Sequence, residues 1–385
     1  MTVIVGPVAR GENFLDRPFI LEDLWDNIES GTHTLLAAPR RVGKTSLMFR
    51  LLDEPKEGYI VLYIISESAQ SASKFWEILF EALTEEKFIS SIKIKAQKLY
   101  EKLKTIRINE AGIEGIKFGD SESVDYAKAF KEVLKNFDSN KKLVIMMDEF
   151  SQTIENVIKY EGVKQAEGLL AAHRTLRQDP NIMGKVTFIY AGSIGLESVV
   201  SGINAMHLII DLSAVKVPPL DDVDASKFAR HLCQSNEIDI DDASLSYMFE
   251  KIEWYIPFHI QLVVKEIQRL YRRDPIVDER VIDKAIDNAL GNRQYFEHWE
   301  TRLHVLGKNE NTFAKEVLSI ISEHKMFALN EILNIGNKYT LEEKDAKNIL
   351  KSLVDDGYIN NEDDIKMYRF NSPILRTWWY RNVTN

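Results

Sequence analysis

The stretch LLAAPRRVGKTSL, residues 35–47, constrains this chain more than any other. An apolar run ends in a short turn rich in Arg and Gly, and an amphipathic segment, residues 45–52, begins at once. That order reads as strand, loop and helix, the setting in which the pattern G-x-x-x-x-G-K-[ST] builds a phosphate-binding loop. Gly43, Lys44 and Thr45 match the second Gly, the Lys and the Thr, while Ala38 replaces the first Gly. A triphosphate needs converging backbone N–H groups, and a helix N-terminus adds its partial positive charge to them. The expected nucleotide-contacting residues are therefore Pro39, Arg40, Arg41, Val42, Gly43, Lys44, Thr45 and Ser46. Gly43 lets the backbone come close, Lys44 brings a point charge to the β- and γ-phosphates, and the Thr45 hydroxyl is a hard oxygen ligand for Mg²⁺. Ala38 stands at the strand exit, where a methyl group is the smallest intrusion.

A fitting partner lies downstream. Residues 141–150, KKLVIMMDEF, form an apolar strand ending in two adjacent carboxylates. Asp148 is expected to hold Mg²⁺ through its waters, and Glu149 to orient and activate the attacking water. Residues 185–191 make another β run, followed by Gly192 and Ser193, where the Ser193 side chain is placed to sense the γ-phosphate. Arg174 and Arg177 sit on a helix over residues 163–178. An arginine finger acting across an oligomer is one reading of either, and a solvated helix face is the plainer one. The expected cofactors are ATP or ADP with Mg²⁺.

The chain of 385 residues has room for two or three domains, and 45% hydrophobic with 28% charged residues suits a globular protein. Apolar runs such as residues 59–65 are too short to span a bilayer, and residues 1–14 lack a basic segment followed by a hydrophobic one. No membrane association is expected. The single cysteine, Cys233, excludes an intramolecular disulfide and a cysteine-based metal site, suits a reducing cytoplasm, and reads as a small buried apolar residue. Net charge is −10, from 49 Lys and Arg against 59 Asp and Glu, so sequence-independent coating of DNA is disfavoured.

Before the first strand, residues 11–30 read as a loop and an amphipathic helix with Phe19, Leu21, Leu24, Trp25 and Ile28 at near-helical spacing. Residues 58–66 form a β-rich run that fits a strand covered on both faces. A helical region over 71–103 follows, then a hairpin or inserted loop at 106–119 marked by Gly112, Gly115 and Gly119, then a helix over 126–137. Residues 207–212 read as the last core strand, and Pro218-Pro219 marks a boundary. Helices are expected at 225–234, 243–252, 257–272, 278–290 and 294–306. Helices at 312–323, 329–335 and 341–356, with strands at 357–359 and 365–370, make a winged helix-turn-helix. Its recognition helix, LEEKDAKNILKSLVDD, carries too many acidic residues to favour reading DNA. The expected domains are a core over 1–216, a helical lid over 217–306 and the winged helix over 307–385.

Together these residues resemble the prokaryotic STAND-type P-loop ATPases, close to the archaeal-ATPase branch and related to the origin-recognition AAA+ proteins. The resemblance rests on APRRVGKTSL at 38–47, LVIMMDEF at 143–150, FIYAGS at 188–193, WYIPFHIQL at 254–262 and YRFNSPILRTWW at 368–379. It implies an α/β P-loop core with a five-stranded parallel sheet of order 5-1-4-3-2, a helical lid, and a winged helix folded over the nucleotide. Pro257 carries over as a contact to the base, although Tyr255 stands where the family often has the Gly of a G-x-P motif. The activity implied is ATP hydrolysis in a nucleotide-dependent switch serving signalling, regulation or defence. A DNA-acting ATPase, helping replication or transposition through the winged helix, is the alternative. After core, lid and wing few residues remain for a sensor or effector. The output is therefore expected in a protein partner, or in a nucleotide-dependent homo-oligomer that recruits one.

Overall fold

The computed structural model describes residues 1–85, 125–137, 140–192 and 195–385. They divide into two compact units, one of Arg17–Ala37 and Leu47–Lys216, the other of Met1–Asp16, Ala38–Ser46 and Val217–Asn385.

The first unit opens with helix α1, Pro18–Ser30, started by a proline in its first turn and stopped by Gly31 in the left-handed region. Its buried face is Ile20, Leu24, Trp25 and Ile28. Phe19, placed by the sequence spacing on that face, is 80% exposed. The stripe runs at i, i+4 and i+8 from Ile20, and Phe19 sits about 100° away from Ile20 around the helix. Strand β1 is Thr34–Ala37, helix α2 is Lys44–Asp53, and strand β2 is Tyr59–Ile65. Then come α3, Ala72–Thr84, and α4, Tyr126–Lys135, capped by the side chains of Ser71 and Asp125. Strand β3 is Lys142–Asp148, followed by α5, Phe150–Glu161, and α6, Val163–Arg177. Strand β4, Val186–Ala191, helix α7, Leu196–Gly202, and strand β5, Ser213–Lys216, complete the unit.

The five strands form one parallel sheet of order β2-β3-β4-β1-β5. This is the five-stranded parallel sheet, in the order, that the resemblance implies. Six consecutive residues of β3 and all six of β4 are buried, without the alternation of a half-exposed strand, because helices cover both faces. The aromatic centre of the core is Phe75, Phe130, Phe150 and Phe188, each contributing about 1.5–3 kcal/mol by leaving water. The last strand is not residues 207–212. That stretch holds a 3-10 turn, Met206–Leu208, and the chain enters the sheet only at Ser213. Ile210, 78% exposed, gave the segment an apolar look without a buried partner. Helix α5 was not foreseen, because its polar residues conceal the buried set Phe150, Ile154 and Val157 at i, i+4 and i+7. The expected hairpin at 106–119 and the helix beyond residue 85 fall outside the described residues.

The second unit is mostly helical in its middle: α8, Asp222–Ser235, α9, Asp242–Ile252, α10, Pro257–Tyr271, and α11, Glu279–Gly291. Asp221, Asp241 and Asp278 cap three of them, each accepting from a backbone N–H three residues on. Cys233 is fully buried in α8, and burial pushes its thiol up to about 12. The single helix expected over 294–306 is instead a short α12, Glu297–Arg302, between the 3-10 turns Arg293–Tyr295 and Leu303–Val305. Two buried aromatics explain the break. Phe296 stacks on Trp378 with centroids 5.6 Å apart, while Trp299 meets Tyr358 edge-on at 4.9 Å.

Further on come α13, Lys308–His324, strand β6, Met326–Ala328, and helices α14, Leu329–Lys338, and α15, Glu343–Asp355. Strands β7, Ile359–Asn360, and β8, Met367–Phe370, then close an antiparallel sheet of order β6-β8-β7, and α16, Pro373–Trp379, follows. Strand β6 is only three residues long, too short to register as a period. No helix among the described residues is long and apolar enough to cross a membrane.

Candidate functional site

In a parallel sheet, loops at the carboxyl ends of the strands collect functional groups. β1 ends at Ala37 and runs into the loop Ala38–Ser46, β3 ends at Asp148, and β4 ends at Ala191. These three strands are neighbours in the sheet, in the order β3-β4-β1.

The loop belongs to the second unit. Gly43 takes φ of +102°, a conformation that excludes an ordinary side chain, and an added Cβ there would meet nothing within 4 Å. Helix α2 starts at the next residue, Lys44, so its first N–H groups face the turn. Lys44 is buried, and its Nζ donates to the carbonyls of Ala38 at 2.7 Å and Pro39 at 3.0 Å. Val42 is buried, whereas Thr45 and Ser46 are half-buried. Arg41 adopts φ of +65°, and its guanidinium lies over the ring of Phe258, 4.9 Å from the centroid. Phe258 directly follows Pro257, which sits in the first turn of α10. Pro257 and the loop are thus linked through the neighbouring aromatic ring.

Three other residues of this unit, none of them expected at the loop, approach it. Gly357, at φ of +86°, comes so close that an added Cβ would lie 2.9 Å from Pro39 Cβ and 2.9 Å from Trp254 Cη2. Beside it, burial raises the Asp356 carboxyl, against the opposing pull of Arg302, Arg40 and Lys44. His298 packs edge-on to Phe258, and its imidazole is pushed down to about 3 by burial and by the charges of Arg41 and Arg40.

In the first unit, Asp148 is buried and its two oxygens are held separately. The Tyr63 hydroxyl donates to Oδ2 at 2.8 Å, and the Glu149 N–H donates to Oδ1 at 3.0 Å. Burial and Asp148 itself raise the Tyr63 phenol well above its ordinary value, so it stays a donor. The Asp148 carbonyl accepts from both Ser66 N and Ser66 Oγ at 3.1 Å, and Thr153 Oγ1 donates to the Ser66 carbonyl at 2.8 Å. Glu149 takes φ of 57° and ψ of 30° at the turn into α5. Ser193 lies outside the described residues.

Arg177 is committed to the fold. Its guanidinium donates to Asp211 through Nε at 2.7 Å and Nη2 at 2.8 Å, to the Leu208 carbonyl at 2.7 Å and to the Tyr190 hydroxyl at 3.2 Å. With that many donors spent and its side chain buried, it is no exposed finger. Arg174, one turn earlier, is half-buried.

Neither a protein-family profile nor a curated protein sequence matches the chain. Solved structures do. A Walker-type ATPase of Pyrococcus abyssi superposes with a TM-score of 0.69 at 18% identity, over 98% of this chain and 99% of that one. The chain has the fold of a P-loop ATPase. The Aeropyrum pernix ORC2 protein shares it less closely, with a TM-score of 0.52 at 11% identity, over 97% and 96% of the two chains. The likeness to origin-recognition proteins read from the sequence thus holds for the fold.

The sequence reading missed Tyr63, Phe258, His298 and Gly357. Tyr63 and Phe258 look like ordinary core aromatics in apolar runs, and only strand register and helix docking distinguish them. Gly357 carried a signal, since a glycine one residue after a helix often takes positive φ.

Proposed function

We propose that this protein binds ATP with Mg²⁺, hydrolyses it slowly, and works as a nucleotide-dependent switch of the STAND type. One observation carries the reading. The loop that holds Gly43, Lys44 and Thr45 continues the chain from the carboxyl end of β1, and the Asp148-Glu149 pair stands at the carboxyl end of β3, two parallel strands of one sheet with only β4 between them. The fold shared with the Pyrococcus abyssi ATPase supports it, as does that of the Aeropyrum pernix ORC2 protein, which was solved as ADPNP–ADP complexes.

The donor set suits the ligands. In this reading Pro39 to Ser46 cradle the phosphates, with Lys44 exchanging its bonds to the loop carbonyls for phosphate oxygens. Thr45 and Asp148 offer a hydroxyl and a carboxylate, the hard oxygens that Mg²⁺ prefers, the carboxylate acting through water. Mg²⁺ neutralises charge developing on the phosphates. Glu149 orients the water and accepts its proton, Ser193 senses the γ-phosphate, and Pro257 borders the base.

The helices of Val217–Leu306 act as a lid, and α13 to β8 as a winged helix, in the proposed division 1–216, 217–306 and 307–385. Residues 309–385 hold ten Lys and Arg against twelve Asp and Glu, and α15 carries three of each sign, so a protein partner or a second copy of the chain suits that module better than DNA. Surplus acidic charge favours a basic surface on the partner.

Lys44→Ala tests the assignment. A ligand at a hundred times its Kd adds about 2.7 kcal/mol, which a thermal shift reads directly. ATP with Mg²⁺ should raise the Tm of the natural chain and leave that of the variant unmoved. Equal stabilisation of both would remove the loop from the nucleotide site.

A further inference from the structure

Tyr63 donates a hydrogen bond to the Asp148 carboxylate whose existence depends on strand register. β2 and β3 pair in parallel with Tyr63 opposite Met146 and Ile65 opposite Asp148. Residues two apart share a face, so Tyr63, Ile65, Met146 and Asp148 all project to the same side of the sheet. The tyrosine therefore reaches along the sheet and places its hydroxyl 2.8 Å from Asp148 Oδ2. Its ring is held against Phe49 of α2, with centroids 4.6 Å apart. A phenylalanine would fill this position equally well as a core residue. The hydroxyl has a different use.

An ionised carboxylate offers about four lone-pair directions. Here one on Oδ2 is taken by Tyr63 and one on Oδ1 by the Glu149 N–H. The carboxylate is thereby fixed in rotation, and the donated bonds draw charge from both oxygens. An oxygen already engaged in this way is a better acceptor for a metal-bound water than a replacement for it. Mg²⁺ gives up its waters reluctantly, whereas Ca²⁺ and Mn²⁺ tolerate direct carboxylate ligation more readily.

We propose that Tyr63 is a positioning residue that holds Asp148 for Mg²⁺ bound through water, and so tunes the site toward Mg²⁺. The inference rests on the ATPase reading above and adds a residue and a metal preference to it. Partners that orient metal-site carboxylates typically change metal affinity 10- to 100-fold when removed.

The test is calorimetric titration of the full chain with ADP in three buffers, containing EDTA, Mg²⁺ or Ca²⁺. For Tyr63→Phe the Kd in EDTA should stay within about twofold of the natural chain, since phosphate and base contacts are untouched. The gain in affinity on adding Mg²⁺ should shrink about tenfold, and the gain with Ca²⁺ should not shrink. In an Asp148→Asn background the same substitution should change nothing further, as a double-mutant cycle requires of a pair acting through one bond. If Tyr63→Phe fails to melt cooperatively, Tyr63→Leu, which likewise has no donor, replaces it, with the same expected loss. A Mg²⁺ gain equal in variant and natural chain overturns the role of Tyr63 while leaving the ATPase reading intact. Absence of ADP binding by the natural chain in every buffer overturns both.

Discussion

Glu149 sits in the left-handed backbone region at φ 57°, a conformation that costs a side chain with a Cβ about 1–2 kcal/mol. The turn that imposes it also directs the Glu149 N–H onto Asp148 Oδ1, so the strain and the orientation of the second carboxylate have one origin. Two substitutions separate the parts. Glu149→Gln should keep ATP affinity and abolish turnover, because an amide preserves shape and cannot accept a proton. Glu149→Gly should abolish turnover too, yet denature at equal or higher urea concentration, with a gain of at most about 1 kcal/mol from relief of φ. Hydrolysis at the natural rate by either variant would assign the base elsewhere. At this scale the candidate residues could be named from the sequence where neighbours in sequence are neighbours in chemistry, as in Gly43-Lys44-Thr45 and Asp148-Glu149. Tyr63 could not, since its meaning depends on which residue of β3 lies beside it.

Helices with a clean apolar stripe and an aspartate cap, such as α8, α9 and α11, were legible almost to their ends, because period and cap agree. Elements whose identity is decided by what they pack on were not. Residues 207–212 have strand composition but form a 3-10 turn, and β6 exists only because β8 pairs with it. The turn after α15 shows how far such packing reaches. Gly357 presses its Cα between Pro39 and Trp254, so the strand-β7 end of the second unit and the loop Ala38–Ser46 are in direct contact. An alanine there meets two penalties at once: positive φ, about 1–2 kcal/mol, and overlap with a proline and an indole ring, about 1–3 kcal/mol. Gly357→Ala should lose roughly 2–5 kcal/mol in urea denaturation and release bound nucleotide faster, because Pro39 must shift. A variant within about 0.5 kcal/mol of the natural chain, with an unchanged dissociation rate, would show that the turn yields freely.

Across the whole molecule, four histidines are kept neutral by the fold, and they are divided between the units. In the first, His173 is held far below its ordinary value by burial and then by Arg177. His33 is lowered chiefly by burial. His173 stacks on Trp76 at 4.9 Å and meets the Tyr190 hydroxyl at 3.1 Å. In the second, burial takes His259 down to about 4, and burial with the charges of Arg41 and Arg40 takes His298 down to about 3. The sign follows from proton counting. Well above pH 6.5, from about pH 7.5 upward, neither the folded nor the unfolded chain protonates these rings to any extent, and stability is flat with respect to them. Below it the unfolded chain binds protons that the folded chain refuses, so stability falls. For His259 and His298 the loss approaches about 1.4 kcal/mol per pH unit each, until the folded value is reached near 4 and near 3 respectively. Between pH 6.5 and 5.5 His259 and His298 together should remove about 2 kcal/mol, a sizeable part of the 5–15 kcal/mol that holds a typical fold, and His33 and His173 act in the same direction. Because each unit contains two of these rings, neither should persist as an acid-stable remnant. Urea denaturation at pH 8.5, 7.5, 6.5 and 5.5 should show a level stretch above pH 7.5 followed by a steepening fall, and His173→Phe, which keeps the stack on Trp76, should soften the fall. Stability that is constant down to pH 5.5 would mean that these histidines reach solvent and titrate in the folded chain.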